Sequence, residues 1–249
     1  MTTEFIKTYY TNGNPKHEYI LVNGAHQGLL KEWYENGNKQ YEYNYVDGQR
    51  DGVCKHWHVN GQQSVESNFI AGTREGMAKE WYENGNKRYE CNYVAGKRDG
   101  VSKQWHVNGQ QSVESNFIAG TREGIFKSWY DNGNKQHEFN FVSGKVNGLS
   151  KEWYKKGNKL YECSAINSKK NGFEILWDPN GFVEDIRYYK DGIDIGFKDL
   201  VQQQCNTYKE ELMNILFHPN RVEYMAKKYS MNFMDYMNCL SGSGKLTTN

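Results

Sequence analysis

Few side chains in this sequence could do chemistry, and the nearest approach to a metal site is a pair of histidines. His56 and His58 lie two residues apart, so on a β-strand both would point to the same face, a geometry that can hold a metal ion. The positions 24 residues further on carry Glu80 and Tyr82 instead. We therefore interpret the pair as ordinary strand surface, and we expect no metal, no cofactor and no catalytic residue.

A second candidate is a set of arginines that recurs every 24 residues and could bind phosphate groups or an acidic partner. Its members are Arg50, Arg74, Arg98 and Arg122. An acidic residue directly follows each one, namely Asp51, Glu75, Asp99 and Glu123. Local neutralisation by that neighbour is our main interpretation. Contact with phosphoinositides or a membrane surface stays open as the alternative.

The other motifs do not indicate a site. Residues 241–245 read Ser-Gly-Ser-Gly-Lys and resemble the end of a phosphate-binding loop, but the upstream glycine and the flanking strand and helix are missing. We predict that residues 241–249 form a disordered terminus. The five cysteines are odd in number and show no Cys-x-x-Cys spacing, so neither a disulfide framework nor a zinc site is expected.

Composition excludes several functional classes. The formal net charge of +1 gives no overall field that would attract nucleic acid. No apolar stretch reaches the roughly 20 residues of a membrane-spanning helix, and residues 1–10 lack the plan of a signal peptide. We expect a soluble cytoplasmic protein, and a mean hydropathy of −0.93 favours an extended array over one compact globule.

The elements that would position these side chains follow a period of 24 residues. Every tryptophan falls in one phase: Trp33, Trp57, Trp81, Trp105, Trp129, Trp153 and Trp177. Glycines equivalent to Gly37, Gly48 and Gly52 fall in three further phases. Such self-similarity is typical of repeat arrays, whose units are too small to bury their apolar surface alone and therefore stack on neighbours. We predict eight such repeats.

A longer period argues against an enzyme. Residues 57–76 recur letter for letter at residues 105–124, so that two kinds of repeat alternate. An active site needs one unique constellation, whereas copied segments present the same side chains twice. The duplication therefore favours a repetitive docking surface.

Each repeat is predicted to be a β-hairpin. Asn36-Gly37 lies between two runs rich in aromatic and β-branched residues, which is a strong hairpin signal. A two-residue turn centred on this dipeptide places Lys31 opposite Glu42, and both residues recur in every repeat except the last. We interpret this lysine–glutamate ladder as structural, because opposite charges across a sheet set the strand register.

The alternation of side chains along the strands predicts two faces. One face would carry Leu29, Lys31, Trp33, Gln40, Glu42, Asn44 and Val46. The other would carry Leu30, Glu32, Tyr34, Tyr41, Tyr43 and Tyr45. We expect one aromatic face to be concave and partly covered. A row of rings forms the candidate surface for a partner: Tyr34, His58, Tyr82, His106, Tyr130 and Tyr154.

These units resemble MORN repeats of the second subtype, which includes antitoxin-like proteins. The resemblance rests on Trp33-Tyr34-Glu35-Asn36-Gly37-Asn38, on Gly48 and Gly52, and on their equivalents such as residues 81–86. It covers about residues 5–196. It implies an all-β, elongated array of antiparallel β-hairpins in a single twisted sheet, acting as a non-catalytic scaffold in protein–protein contact. Phospholipid contact is also attributed to the family.

The period changes after residue 196. Apolar residues then recur at three- and four-residue steps, which predicts an amphipathic helix. They are Leu200, Val201, Cys205, Tyr208, Leu212, Ile215 and Leu216. We expect residues 197–240 to form an α-helical tail that caps the array, with a partner-binding or dimerising segment as the alternative. Residues 217–221 resemble short tails of giant DNA virus proteins, which hints at a viral source, with a place in host cytoplasm or virion.

Three functional hypotheses follow. The first is a scaffold that binds a protein partner through the aromatic row. The second is phosphoinositide binding through the arginine row. The third is direct neutralisation of a toxin, which the antitoxin-like relatives suggest.

Overall fold

The computed structural model describes residues 1–195, and these residues form β-strands and turns without a helix. The all-β, antiparallel hairpin prediction is confirmed for them. The predicted helical tail, residues 197–240, and the predicted disordered terminus, residues 241–249, lie outside the described residues.

The chain divides into two compact units, each of them antiparallel. The first unit, residues 1–135 with 141–144, contains β1 (Thr3–Tyr9), β2 (Pro15–Val22), β3 (Ala25–Trp33), β4 (Lys39–Val46), β5 (Gln49–Arg50), β6 (Gly52–Trp57), β7 (Gln63–Ile70), β8 (Thr73–Arg74), β9 (Gly76–Trp81), β10 (Lys87–Val94), β11 (Lys97–Arg98), β12 (Gly100–Trp105), β13 (Gln111–Ile118), β14 (Thr121–Arg122) and β15 (Gly124–Trp129). The second unit, residues 136–140 with 145 onward, contains β17 (Lys145–Val146), β18 (Gly148–Trp153), β19 (Lys159–Ile166), β20 (Lys169–Trp177), β21 (Val183–Lys190) and β22 (Ile193–Asp194). Strand β16 (Lys135–Val142) has residues in both units.

Consecutive strands pair in both units. In the first unit the hairpins are β1/β2, β3/β4, β6/β7, β9/β10 and β12/β13. The second strand of each hairpin also pairs with the first strand of the next, as β4 does with β6. In the second unit β18/β19 and β20/β21 are hairpins, and β19 pairs with β20. Strand β4, for example, therefore has a hydrogen-bonded neighbour on both sides.

The turn at Asn36-Gly37 is not the predicted two-residue turn. The Gly37 N–H donates to the Tyr34 carbonyl at 2.9 Å, and the Tyr34 N–H donates to the Asn38 carbonyl. Gly37 has a φ of 87°, whereas Asn36 is not among the residues with positive φ. A type I′ turn needs positive φ at both central residues. The loop is therefore longer, and Trp33 pairs with Lys39, which leaves Gln40 as a bulge.

The two-residue turn occurs at the other end of the hairpin. Asp47 and Gly48 have φ values of 48° and 77°, and the residues on either side of them, Val46 and Gln49, pair directly. This is the φ pattern that the right-handed twist of the flanking strands favours. The same position holds alanine in three later repeats, at Ala71, Ala95 and Ala119. A side chain other than glycine, asparagine or aspartate is unfavourable there, so another interaction must stabilise it.

The lysine–glutamate register is confirmed. Lys31 lies opposite Glu42, and Glu42 lies opposite Lys55 of the next hairpin. In the first unit this continues without a break through Lys7, Glu18, Lys31, Glu42, Lys55, Glu66, Lys79, Glu90, Lys103, Glu114 and Lys127. Each glutamate therefore has a lysine on both sides. The Lys7 ammonium, hydrogen-bonded to Glu18, lowers the pKa of that carboxyl.

Lysines beside the turn take part as well. The Lys39 ammonium lies 2.6 Å from the Glu42 carboxylate, and Lys87 makes the same contact with Glu90 at 2.7 Å. Lys39 also lies 5.3 Å from the centre of the Trp57 ring, one hairpin further on. The bulge at Gln40 allows Lys39 to make these contacts, because it moves Lys39 to the face of the sheet that carries the charges.

In the first unit the two faces differ sharply in burial. We call the face of Leu30, Tyr41, Tyr43 and Tyr45 the inner face, and the face of Lys31 and Glu42 the outer face. Leu30 and Tyr43 form a buried cluster with Cys54, against which Tyr19, Tyr41, Tyr45 and Phe69 pack. Later repeats bury small residues at these inner positions: Ser67, Ala78, Cys91, Ser102 and Ser115. The partly covered face is therefore the inner one.

Reversing one charge of the ladder should lower stability. Glu66 lies 3.6 Å from Lys55 and opposite Lys79, so the substitution Glu66→Lys places three lysines side by side. We expect a loss of about 1 kcal/mol in the free energy of unfolding, measured by urea denaturation. Glu83→Lys is the matched control, since Lys155 occupies the equivalent exposed turn position. Equal losses in both variants would show that the ladder does not set the register.

Candidate binding surface

The row of rings proposed as a partner surface links successive hairpins. The Tyr34 hydroxyl donates to the Trp57 carbonyl at 2.9 Å. The same bond recurs along the row, from His58 to Trp81 O at 2.9 Å, Tyr82 to Trp105 O at 2.8 Å, His106 to Trp129 O at 2.8 Å and Tyr154 to Trp177 O at 2.8 Å. Tyr130 takes the equivalent position and is half-buried like the others.

Because of these hydrogen bonds, the polar tips of the rings are not available to a partner. Tyrosine and histidine alternate because both can donate a hydrogen bond from the tip of a ring. Burial raises the pKa of Tyr34, which keeps its hydroxyl protonated. The polar tips are thus already used within the array, and only the ring surfaces remain for a partner.

Asparagines join the turns in the same way. The Asn36 side chain accepts a hydrogen bond from the Asn38 N–H and donates one to the Val59 carbonyl of the next turn. Asn38 donates to the same Val59 carbonyl at 2.8 Å. Equivalent bonds join Asn84 and Asn86 to Val107. The Asn-Gly dipeptide therefore acts between repeats as well as within one.

The arginine row lies on the inner face among aromatic rings. The Arg50 guanidinium lies 4.3 Å from the centre of the Tyr43 ring and 5.7 Å from that of Phe69. Arg74 lies between Phe69 and Tyr93 in the same manner. Arg98 lies 4.0 Å from the Phe117 ring, and Arg122 contacts Phe117, Phe126 and Phe141. Cation–π contact thus stabilises the row.

The acidic residues that follow the arginines bind the backbone of the next repeat. The Asp51 carboxylate accepts a hydrogen bond from the Ala71 N–H at 3.0 Å, 20 residues further along the chain. Glu75 binds the Ala95 N–H and Asp99 binds the Ala119 N–H in the same way. These are the alanines with positive φ. The carboxylates therefore stabilise an unfavourable turn of the next repeat, a charge-assisted bond that local sequence does not reveal.

The outer face carries two exposed aliphatic rows that the sequence interpretation missed. In the first unit one row consists of Leu29, Val53, Met77, Val101 and Ile125. The second row consists of Val46, Ile70, Val94, Ile118 and Val142. Their side chains are 42% to 58% exposed. A fixed 24-residue phase of aliphatic residues was the available signal, and the alternation of faces assigns it to the outer side.

The two rows lie close together on the sheet. Leu29 pairs with Asn44, and Val46 is the next residue of β4 on that face. Cross-strand neighbours on one face are about 5 to 8 Å apart. The lysine–glutamate ladder lies beside them, since Lys31 follows Leu29 on the same face. The result is a repeated apolar strip bordered by charges that neutralise one another. We call these two rows the aliphatic strip.

Several histidines and the three cysteines of the described residues take part in packing. No group of three or more His, Cys, Asp and Glu side chains among residues 1–195 could hold a metal ion. His56 and His58 have different hydrogen-bond partners. His56 binds the Tyr43 hydroxyl on the inner face, and His58 binds the Trp81 carbonyl. The cysteines Cys54, Cys91 and Cys163 are free and buried. The described residues contain no membrane-spanning helix.

Comparison with protein families supports a MORN repeat protein. The family described as MORN repeat variant matches residues 27–47, 74–95 and 122–143. Each matched segment includes one residue from each row of the aliphatic strip: Leu29 and Val46, Met77 and Val94, and Ile125 and Val142. MORN repeats are typically non-enzymatic modules for binding. A comparison with curated proteins gave no match.

Removing a single ring hydroxyl should weaken the contact between hairpins. Tyr82→Phe deletes the bond to the Trp105 carbonyl, and we expect a loss of about 1 kcal/mol in the free energy of unfolding. Tyr82→His is the matched variant, because histidine makes this bond in the repeats on either side. Urea denaturation should show a smaller loss for histidine than for phenylalanine. A larger loss for histidine would contradict the assigned role of the row.

Stability should fall in acid through His56. Burial first, and then the charges of Arg50 and Arg74, lower the pKa of this imidazole below its ordinary value. The unfolded chain then binds the proton more readily than the folded one, so the contribution is present above about pH 6.5 and is lost as the pH falls. His56→Gln, which copies Gln104, should reduce the difference in unfolding free energy between pH 8 and pH 5.5. An unchanged difference would refute this assignment.

Proposed function

We propose that this chain, whose repeats match the MORN repeat variant, is a non-catalytic scaffold that binds a protein partner through the aliphatic strip. The observation that carries the proposal is the exposure of ten aliphatic side chains in fixed phase on one face of the first unit. Such side chains scattered singly need no explanation, whereas a contiguous apolar patch marks an interaction surface.

The spacing of the strip favours an elongated partner. Successive hairpins advance by two strand spacings, which is roughly 10 Å. Seven residues of an α-helix also span about 10.5 Å. An amphipathic helix with an apolar residue at every seventh position could therefore contact one repeat after another. Several equivalent weak contacts on one rigid surface add up to firm binding.

Charge supports an apolar rather than an ionic mode of binding. Each glutamate of the ladder is flanked by lysines, so the outer face presents alternating charges with little net field. Affinity would then come from burial of the strip, at about 25 cal/mol for each Å² of apolar surface. Binding of this kind should persist when the salt concentration is raised.

The aromatic row and the arginine row remain proposals, and we assign them a smaller contribution to binding than the aliphatic strip. The ring surfaces of Tyr34, His58 and their equivalents border the Asn-Gly turns, at the opposite end of each hairpin from the Asp47-Gly48 turn beside the strip, and would form a separate contact. Phosphoinositide binding is the less favoured function, because the guanidinium of Arg50 already lies against two inner-face rings. Toxin neutralisation and a cytoplasmic location also stay proposals, and a toxin would be one protein partner of the kind proposed here.

Charged substitutions in the strip should abolish partner binding. The double variant Val53→Glu with Val101→Glu changes two strip residues that are 49% and 51% exposed. The matched control is Val59→Glu with Val107→Glu, at turn positions that are 58% exposed and where Glu83 stands one repeat later. Proteins captured by the wild type and the control should be lost from the strip variant by at least about tenfold, which corresponds to about 1.4 kcal/mol.

The same experiment separates the alternatives. Equal capture by both double variants would refute the strip as the binding surface. Sedimentation with phosphoinositide vesicles tests the arginine row, and salt-sensitive binding that Arg74→Gln removes would favour the lipid function instead. Urea denaturation of each variant would show that a lost interaction is not a lost fold.

A further inference from the structure

The last described hairpin has an outer face unlike any before it. Ile175 and Ile186 pair with each other where earlier hairpins pair lysine with glutamate. Val183 stands where Lys159 stands one repeat earlier. Ile175, Ile186 and Val183 are only 2%, 2% and 1% exposed. The charges of the ladder have thus been replaced by apolar side chains that solvent does not reach.

Three large rings complete this apolar group. Phe173, Trp177 and Tyr188 are 8%, 4% and 4% exposed, and the Phe173 and Tyr188 rings meet edge to face at 4.9 Å. Leu149, which precedes Phe173 by one repeat, is 42% exposed. We call the six residues Phe173, Ile175, Trp177, Val183, Ile186 and Tyr188 the terminal patch.

The burial of the terminal patch requires a second layer. Small inner-face residues such as Cys54 are covered by neighbouring rings of the same sheet. Large outer-face residues such as Trp177 and Ile186, at 4% and 2% exposure, need a second layer that packs on the sheet. Within the second unit the described residues are strands and turns of the sheet itself, and the earlier hairpins leave the same outer positions open to solvent. The covering layer must therefore come from a segment beyond residue 195 or from another chain.

We infer that residues 200–216 of this chain cover the terminal patch. Their sequence carries seven apolar residues at three- and four-residue steps, which predicts a helix with one apolar stripe. A helix of 17 residues is about 25 Å long, enough to cross two or more hairpins. The segment therefore matches the patch in both chemistry and length.

The point at which the chain leaves the sheet also favours this occupant. Strand β22 pairs with β21, with Lys190 opposite Ile193, so the chain continues from beside the patch. Residues 196–199 reach at most about 14 Å, which holds the start of the segment near the terminal patch. Its effective concentration there is far higher than that of any separate molecule.

Thiol labelling of the full chain tests the inference. Ile175→Cys introduces a thiol into the patch, and Lys151→Cys introduces one at the equivalent position one repeat earlier. Maleimide labelling followed by peptide mapping should modify the thiol at 151 at least about tenfold faster than the thiol at 175. The double substitution Leu212→Asp with Ile215→Asp, on the apolar stripe of the segment, should raise the rate at 175 and leave that at 151 unchanged.

A matched control and the contrary outcomes complete the test. Gln203→Asp with Asn214→Asp lies on the opposite side of the predicted helix and should leave both rates unchanged. Equal maleimide labelling rates at 175 and 151, measured with residues 200–216 unchanged, would overturn the inference. The inference would also be overturned if the thiol at 175 stayed protected from maleimide in the Leu212→Asp, Ile215→Asp variant and lost this protection on dilution. The occupant would then be a second copy of the chain. Urea denaturation verifies that each variant is folded.

Discussion

The antiparallel register that places each lysine opposite a glutamate is the constraint on which the rest of the structure depends. A slip by one residue would turn every inner side chain outward, so that Tyr43 and Cys54 would face water and Lys31 would face the inner aromatic cluster. One ion pair contributes little, about 0.2 to 1 kcal/mol. Repetition makes the register unique, because Glu42 lies between two lysines and a slip would break every pair at once.

Contacts between hairpins then convert a chain of small units into an array. Ring tips bind the tryptophan carbonyl of the next hairpin, asparagines bind the next turn, and carboxylates such as Asp51 bind the next alanine with positive φ. These bonds use the polar groups of the turns and of the inner face. What they leave unused is the aliphatic strip, which is why we assign partner binding to it and not to the rings.

The hairpins, their register and the identity of the two faces could be predicted from the sequence, because each depends on spacing alone. The roles of Asn36 and Arg50 could not. The side chain of Asn36 binds Val59 of the following repeat, a role that spacing within one hairpin does not show. Arg50 lies against rings from two hairpins while its sequence neighbour Asp51 binds elsewhere. Both outcomes depend on which residues meet across repeats.

The sequence by itself determined the 24-residue period, the all-β hairpins and the opposition of Lys31 and Glu42, because strand alternation and turn residues act over a few positions. Only the tertiary structure decided which groups are free to bind a partner. A tyrosine looks the same in sequence whether its hydroxyl meets solvent or the carbonyl of Trp57. The availability of a side chain depends on stacking between units, and that is a property of the assembled sheet.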